Sequence, residues 1–160
     1  VGAISNTGAC AWCAAATICF FSGLFLKQHT MLSEKSAFFL YFGFASAFLL
    51  LDDFFLIHEQ ASSFGFSEKY FFLIYGLIIM GGLFIFRREI LASDYLLLVI
   101  ALGFLGASIG VDVIQSRIEG LIGEWRILFE DGFKFLGIVG WMGYFAHCSF
   151  AELRQLLSKS

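Results

Sequence analysis

Proline is absent from the 160 residues, and only 14% of them carry a formal charge. Without proline, no helix here is kinked by the loss of a backbone donor. So small a charged fraction, with a mean hydropathy of +0.85, falls short of what a soluble surface needs. Other absences are equally informative. No glycine-rich phosphate loop, dinucleotide fingerprint, Ser-His-Asp set or nucleic-acid-binding pattern occurs, and the glycines fall inside apolar helical runs where packing explains them. No second Cys-x-x-Cys completes a zinc site. There is no internal repeat and no low-complexity tract.

What is present is apolar: 59% of the chain is hydrophobic and 22 residues are Phe. A membrane-crossing helix needs roughly 20 apolar residues, and backbone buried in lipid must close its hydrogen bonds within helices or a barrel. Long runs without strict alternation therefore predict helices. Five spans are expected, near residues 9–26, 37–57, 70–86, 90–114 and 129–150, so the fold class is an all-α polytopic membrane bundle forming one domain over 1–160. Residues 115–128 are too polar to cross. Ile118, Leu121, Ile122, Trp125 and Leu128 recur there at helical spacing, which reads as a short amphipathic helix lying at the interface. The chain opens on Val1, which reads as the product of a cleavage or the continuation of a leader. No basic segment precedes the first apolar stretch, so it does not read as a signal peptide.

Basic residues orient the bundle. Lys27, Lys35, Arg87, Arg88, Arg154 and Lys159 fall on one side, and Lys69, Arg117, Arg126 and Lys134 on the other. The adjacent arginine pair at a helix end places the first side in the cytoplasm, with the N-terminus outside, in a plasma or bacterial inner membrane.

Acidic residues separate more sharply. Asp52, Asp53, Glu59, Glu68, Asp112, Glu119, Glu124, Glu130 and Asp131 lie in the outer half, and Glu34, Glu89, Asp94 and Glu152 in the inner half. The outer half is formally −5 and the inner half +2. Asp52 and Asp53 on the second helix, Asp112 on the fourth, and Glu130 and Asp131 on the fifth lie at similar depth. Carboxylates at such depth must be protonated, paired or hydrated. At about 100° per residue, Asp52 and Glu59 share a face, while His58 points away from Asp53, so this string cannot surround one ion and His58 reads as an interfacial residue. Lys134 stands at i+4 from Glu130 and i+3 from Asp131, within reach of either. One lysine neutralises one charge. The remainder calls for protons, loop arginines or a cation, and an oxygen-rich set suits Ca²⁺, Mg²⁺ or Mn²⁺ better than Zn²⁺.

On the fourth helix, Gly103, Gly106, Ala107 and Gly110 form a small-residue stripe suited to close helix approach, roughly opposite Ser108, Asp112 and Gln115. Both faces ask for protein neighbours, which predicts a central position. Trp141, Tyr144 and His147 on the fifth helix read as an aromatic packing seam ending at the inner interface. Cys10 and Cys13 form a Cys-x-x-Cys at the outer end of the first helix, capable of disulfide exchange or soft-metal binding, whereas Cys19 and Cys148 read as small buried residues.

The function expected is that of a binding or transport-type membrane protein. Asp52, Asp53, Glu59, Asp112, Glu130 and Asp131, with Lys134 as charge partner, would hold a cation, protons or a polar head group. Two alternatives are an accessory subunit docking other membrane subunits and a metal-dependent enzyme acting on lipid. The lipid bilayer is a partner in each case, and nucleic acid in none.

Overall fold

The computed structural model describes residues 2–30, 34–55, 68–122 and 125–158, with side chains described over 6–29, 34–55, 70–111 and 131–158. The fold is all-α. Among the described residues six helices follow in order: α1 Gly2–Thr30, α2 Glu34–Phe55, α3 Glu68–Ile85, α4 Arg87–Ala92, α5 Leu96–Ile122 and α6 Trp125–Leu157. Two of them, over Asn6–His29 and Glu34–Phe55, are long and apolar enough to cross a membrane, and Tyr70–Ile85 and Leu96–Val111 are shorter apolar runs.

Three expectations are corrected. Residues 115–122 continue α5 and α6 already begins at Trp125, so no separate interfacial helix lies between them. With no proline or glycine break at the apolar boundary, helical hydrogen bonding runs past the point where hydropathy fades. The expected fourth span does not begin at Ile90, because the chain breaks at Ser93. Its backbone there is extended (φ −97°, ψ 175°), and its hydroxyl donates to the Ile90 carbonyl at 2.7 Å. Ser and Asp side chains compete for backbone groups in this way and favour helix termini, so Ser93-Asp94 separates α4 from α5. At Phe86, by contrast, backbone bonds to Gly82 and from Ile90 bridge the α3–α4 bend.

The third correction concerns position. α1 lies between α2 and α6, while α5 packs only on α6 among the described contacts and α3 packs on α2 and α4. The helix carrying the small-residue stripe is therefore peripheral. Glycines of α6 make the close approach instead. A Cβ on Gly137 would fall 2.6 Å from Leu105 Cγ, one on Gly140 would fall 3.1 Å from Ala101 Cβ, and one on Gly143 would fall 3.4 Å from a Leu97 methyl. At Gly103, Gly106 and Gly110 a Cβ would meet nothing within 4 Å.

α2 and α6 run antiparallel, held apart by large side chains. Phe42 meets Trp141 edge-on and Phe145 at a tilt, and Phe38 and Phe86 join them. Trp141, Tyr144, Phe145, Phe39 and Phe42 are fully buried, so the aromatic seam read from the fifth helix holds for Trp141 and Tyr144. His147 is exposed and outside it. Away from this seam every long helix presents large apolar side chains outward, among them Phe21, Phe44, Leu77, Phe84, Val99, Leu136 and Phe150.

Candidate functional site

Four cross-helix pairs keep α2 and α6 in one register. Lys35 pairs with Glu152 at 2.6 Å, Phe42 packs on Phe145, the Trp141 indole donates to Ser46 Oγ at 3.0 Å, and Lys134 forms an ion pair with Asp53. Each advance along α2 matches an equal retreat along α6. This register gives Lys134 a tertiary partner, Asp53, in addition to the acids within reach on its own helix.

The environment of that pair is asymmetric. The Asp53 side chain is 5% exposed and that of Lys134 is 40% exposed. The carboxylate is thus sealed among α1, α2 and α6, with Gly8 of α1 close by: a Cβ there would stand 3.9 Å from Asp53 Oδ2. The lysine stem covers apolar surface and keeps part of its ammonium open. Asp52, a quarter-turn round α2, is also buried, and Tyr75 of α3 lies close enough to interact with its carboxylate. Two adjacent carboxylates on one helix therefore serve two different neighbours. Tyr75 was not evident as a site residue from sequence, since a tyrosine inside an apolar run reads as packing.

Asp131 is half-buried on the first turns of α6. Asp112 and Glu130 lie on described helix backbone, but their side chains fall outside the described set. The α5–α6 register still relates their levels. Leu97, Ala101 and Leu105 seat opposite Gly143, Gly140 and Gly137, and continuing the two helices by seven residues from the last of these pairs brings position 112 level with position 130. Glu59 and His58 lie outside the described residues, as do the side chains of Arg117, Arg126 and Lys69. Among the described residues no group of three or more His, Cys, Asp or Glu side chains is placed to hold a metal.

Further polar ties occur at other depths. The Ser22 and Ser149 hydroxyls meet at 2.6 Å between α1 and α6, Ser36 donates to the Gly23 carbonyl at 2.8 Å, and Tyr41 donates to the Ile78 carbonyl at 2.8 Å. The Tyr144 and Ser93 hydroxyls lie 2.9 Å apart, fastening the α4–α5 break to α6. Because Ser93 gives its proton to Ile90, Tyr144 is the donor. Cys19 and Cys148 are buried and Cys10 and Cys13 exposed, all four free thiols.

A family profile described as a domain of unknown function (DUF8692) matches residues 1–148, and the chain belongs to that family. No curated protein and no solved structure matches the chain.

Proposed function

We propose that this is a multi-pass membrane protein crossing the bilayer five times, by α1, α2, α3, α5 and α6, with a cation- or proton-responsive carboxylate site at one end. The placement of the two ion pairs supports the membrane reading. Lys35–Glu152 and Asp53–Lys134 stand at opposite ends of the α2–α6 pair, 18 residues apart on each helix, or about 27 Å at 1.5 Å per residue. That length is close to the roughly 30 Å hydrocarbon thickness of a bilayer, and the exposed side chains between the pairs are apolar except at His147 near the Glu152 end. The excess of bases at the Lys35 end orients that end toward the cytoplasm.

The site reading rests on one observation, the commitment of Lys134 to Asp53. One ammonium balances one carboxylate. Lys134 so engaged does not by itself balance Asp112, Glu130 and Asp131, three acids at neighbouring levels of α5 and α6, with Asp52 and Tyr75 nearby. Carboxylates near the edge of a low-dielectric slab need protons or a cation, and a hard divalent ion such as Ca²⁺, Mg²⁺ or Mn²⁺ matches an all-oxygen donor set. The test is thermal unfolding of the purified protein in detergent, with and without each ion. A divalent ion raises the melting temperature, Asp112→Asn combined with Glu130→Gln removes that rise, and Asp53→Asn leaves it in place. No rise with any of the three ions, together with Asp112 and Glu130 paired to Arg117 or Arg126, would sink the proposal.

A second reading, an accessory subunit that docks a partner helix, is favoured by the open surroundings of Gly103, Gly106 and Gly110 on α5. Gly106→Leu then releases co-purifying subunits without lowering the melting temperature of the isolated chain. Retention of those subunits in the variant would count against it.

A further inference from the structure

α6 outlasts its neighbour. Gly140 and Gly143 face Ala101 and Leu97, but α5 begins only at Leu96, and the Tyr144–Ser93 hydrogen bond marks the break before it. α6 runs on to Leu157, and among the described residues α4 does not pack on it. The face that meets α5 therefore continues with no helix opposite. His147 follows Gly140 by seven residues, two turns along the same side. From there a groove of about 380 Å³ follows the helix through Phe150, Ala151, Arg154 and Gln155 to Ser158, at intervals of three and four residues that share one face.

We propose that this groove seats one anionic phospholipid of the cytoplasmic leaflet, with its phosphate on Arg154. The placement rests on the membrane reading above and is independent of the carboxylate site, which lies at the other end. The Lys35–Glu152 pair marks the edge of the hydrocarbon slab. At 1.5 Å per residue Arg154 stands about 3 Å beyond that level, with Gln155 and Ser158 further out, while Phe150 stands about 3 Å and His147 about 7.5 Å inside it. The groove thus crosses the edge, with the ring of Phe150 on the acyl side and a guanidinium on the head-group side. That polarity matches a phospholipid and not a free anion.

The charges in and around the groove select the head group. Arg154 is exposed and has no ion pair among the described residues. Glu152, two residues before it, lies about 200° round the helix and is held by Lys35. Asp94 acts on Cys148, a quarter-turn from His147. A guanidinium takes a phosphate through two parallel hydrogen bonds, and the cytoplasmic leaflet supplies anionic lipids. A zwitterionic head group brings an ammonium as well, for which the residues lining the groove include no acid. His147 is exposed at a depth where a polar side chain without a partner is costly. The ester carbonyls of a phospholipid lie inward of its phosphate, and they accept the imidazole N–H in either protonation state. Phe150, 67% exposed, packs on the acyl chain, and the Gln155 amide adds a donor beside Arg154.

The test begins with the full chain in cell membranes washed with alkaline carbonate. Release into the wash refutes the membrane reading and this proposal with it. The retained chain, solubilised in a neutral detergent, is equilibrated with equal amounts of dioleoylphosphatidylglycerol and dioleoylphosphatidylcholine and recaptured on an affinity tag. The lipid it keeps is extracted and measured by mass spectrometry. Wild type is expected to hold the anionic lipid in roughly tenfold excess, the effect of one hydrogen bond to a charged group. Arg154→Gln loses that excess. His147→Phe lowers the retention of both lipids and keeps their ratio, because both carry the ester. Lys27→Gln, at the same end of α1, behaves as wild type. Inorganic phosphate displaces the lipid no better than chloride at the same ionic strength. Equal retention of the two lipids by wild type, an undiminished excess in Arg154→Gln, an equal loss in Lys27→Gln, or displacement by phosphate alone would overturn the proposal and leave the membrane reading standing. So would a lipid-free dimer that Arg154→Gln dissolves, since a second copy then fills the groove.

Discussion

Removing one partner of the Asp53–Lys134 pair is not equivalent to removing the other. In Lys134→Met the Asp53 carboxylate, 5% exposed, loses its counter-ion and cannot recover it from water. Stranding a buried charge costs about 3–5 kcal/mol when both partners are sealed. The 40% exposure of the Lys134 side chain means the native pair is already partly screened, which lowers the expected cost to about 2–3 kcal/mol. In Asp53→Asn the amide oxygen still accepts a hydrogen bond and the freed ammonium turns to solvent, so the loss is about 1 kcal/mol. Asp53→Asn with Lys134→Met removes the stranded charge and recovers at least 1 kcal/mol relative to Lys134→Met alone, a coupling within the range for contacting residues. Reversible unfolding in mixed micelles reads these differences directly. They correspond to roughly 2–4 °C of melting temperature per kcal/mol for a chain of this size. Equal losses in the two single variants, or a double variant as unstable as the sum of the singles, would refute the assignment of Asp53 as the sealed member of the pair.

The glycines divide in the same assay. Gly137→Ala puts a methyl 2.6 Å from Leu105 Cγ and 2.9 Å from its backbone nitrogen, and separating α5 from α6 costs about 1–3 kcal/mol. Gly103→Ala meets nothing within 4 Å and gains up to about 1 kcal/mol from helix propensity; a Gly137→Ala variant as stable as Gly103→Ala would contradict the α5–α6 packing. In the aromatic seam, Ser46→Ala leaves the buried Trp141 N–H without its acceptor and costs about 1–3 kcal/mol. Trp141→Phe combined with Ser46→Ala should be less destabilised than the sum of the separate changes. Strict additivity would show that the indole has another partner.

Helix placement was legible because the apolar runs are long and carry a one-sided meaning: backbone in such runs closes its own hydrogen bonds. α1, α2 and α3 lie where hydropathy puts them. The ends were less legible, since hydropathy measures what lipid tolerates and helical bonding does not stop there; α5 and α6 both run beyond their apolar parts. The break at Ser93-Asp94 carried a readable terminus signal that the surrounding apolar residues masked. Two features depend on tertiary neighbours that spacing does not show. Gly103-Gly106-Gly110 and Gly137-Gly140-Gly143 look alike in sequence, and only the residues facing them decide which stripe is used, here Leu97, Ala101 and Leu105. Lys134 has acids at i−3 and i−4 on its own helix, and the partner described for it, Asp53, is 81 positions away. Local spacing shows which pairs on one helix are reachable; the α2–α6 register, set by Phe42, Ser46, Trp141 and Phe145, adds the pair between helices.

On the proposed membrane reading, that register also bears on stability. Apolar helices gain little from meeting one another in lipid, because the tails they displace are as apolar as the side chains they would bury. Helix choice then falls to contacts that lipid cannot imitate, namely close backbone approach at glycine and hydrogen bonds between side chains. Both kinds occur along the interfaces of α1, α2 and α6, at Gly23 against Leu40, Gly43 against Phe20, Ser22 with Ser149 and Trp141 with Ser46. By contrast, the described partners of α3 on α2 include the hydrogen bond of Tyr41 to Ile78 and the approach of Tyr75 to Asp52, with Gly82 fitted against Tyr41. The two contacts, at Tyr75 and Ile78, lie within one turn of each other in the middle of α3. Whatever protonates or complexes the carboxylates around Asp52 therefore acts on one of the two α3 anchors, which makes α3 the element expected to move when the acidic end changes its charge.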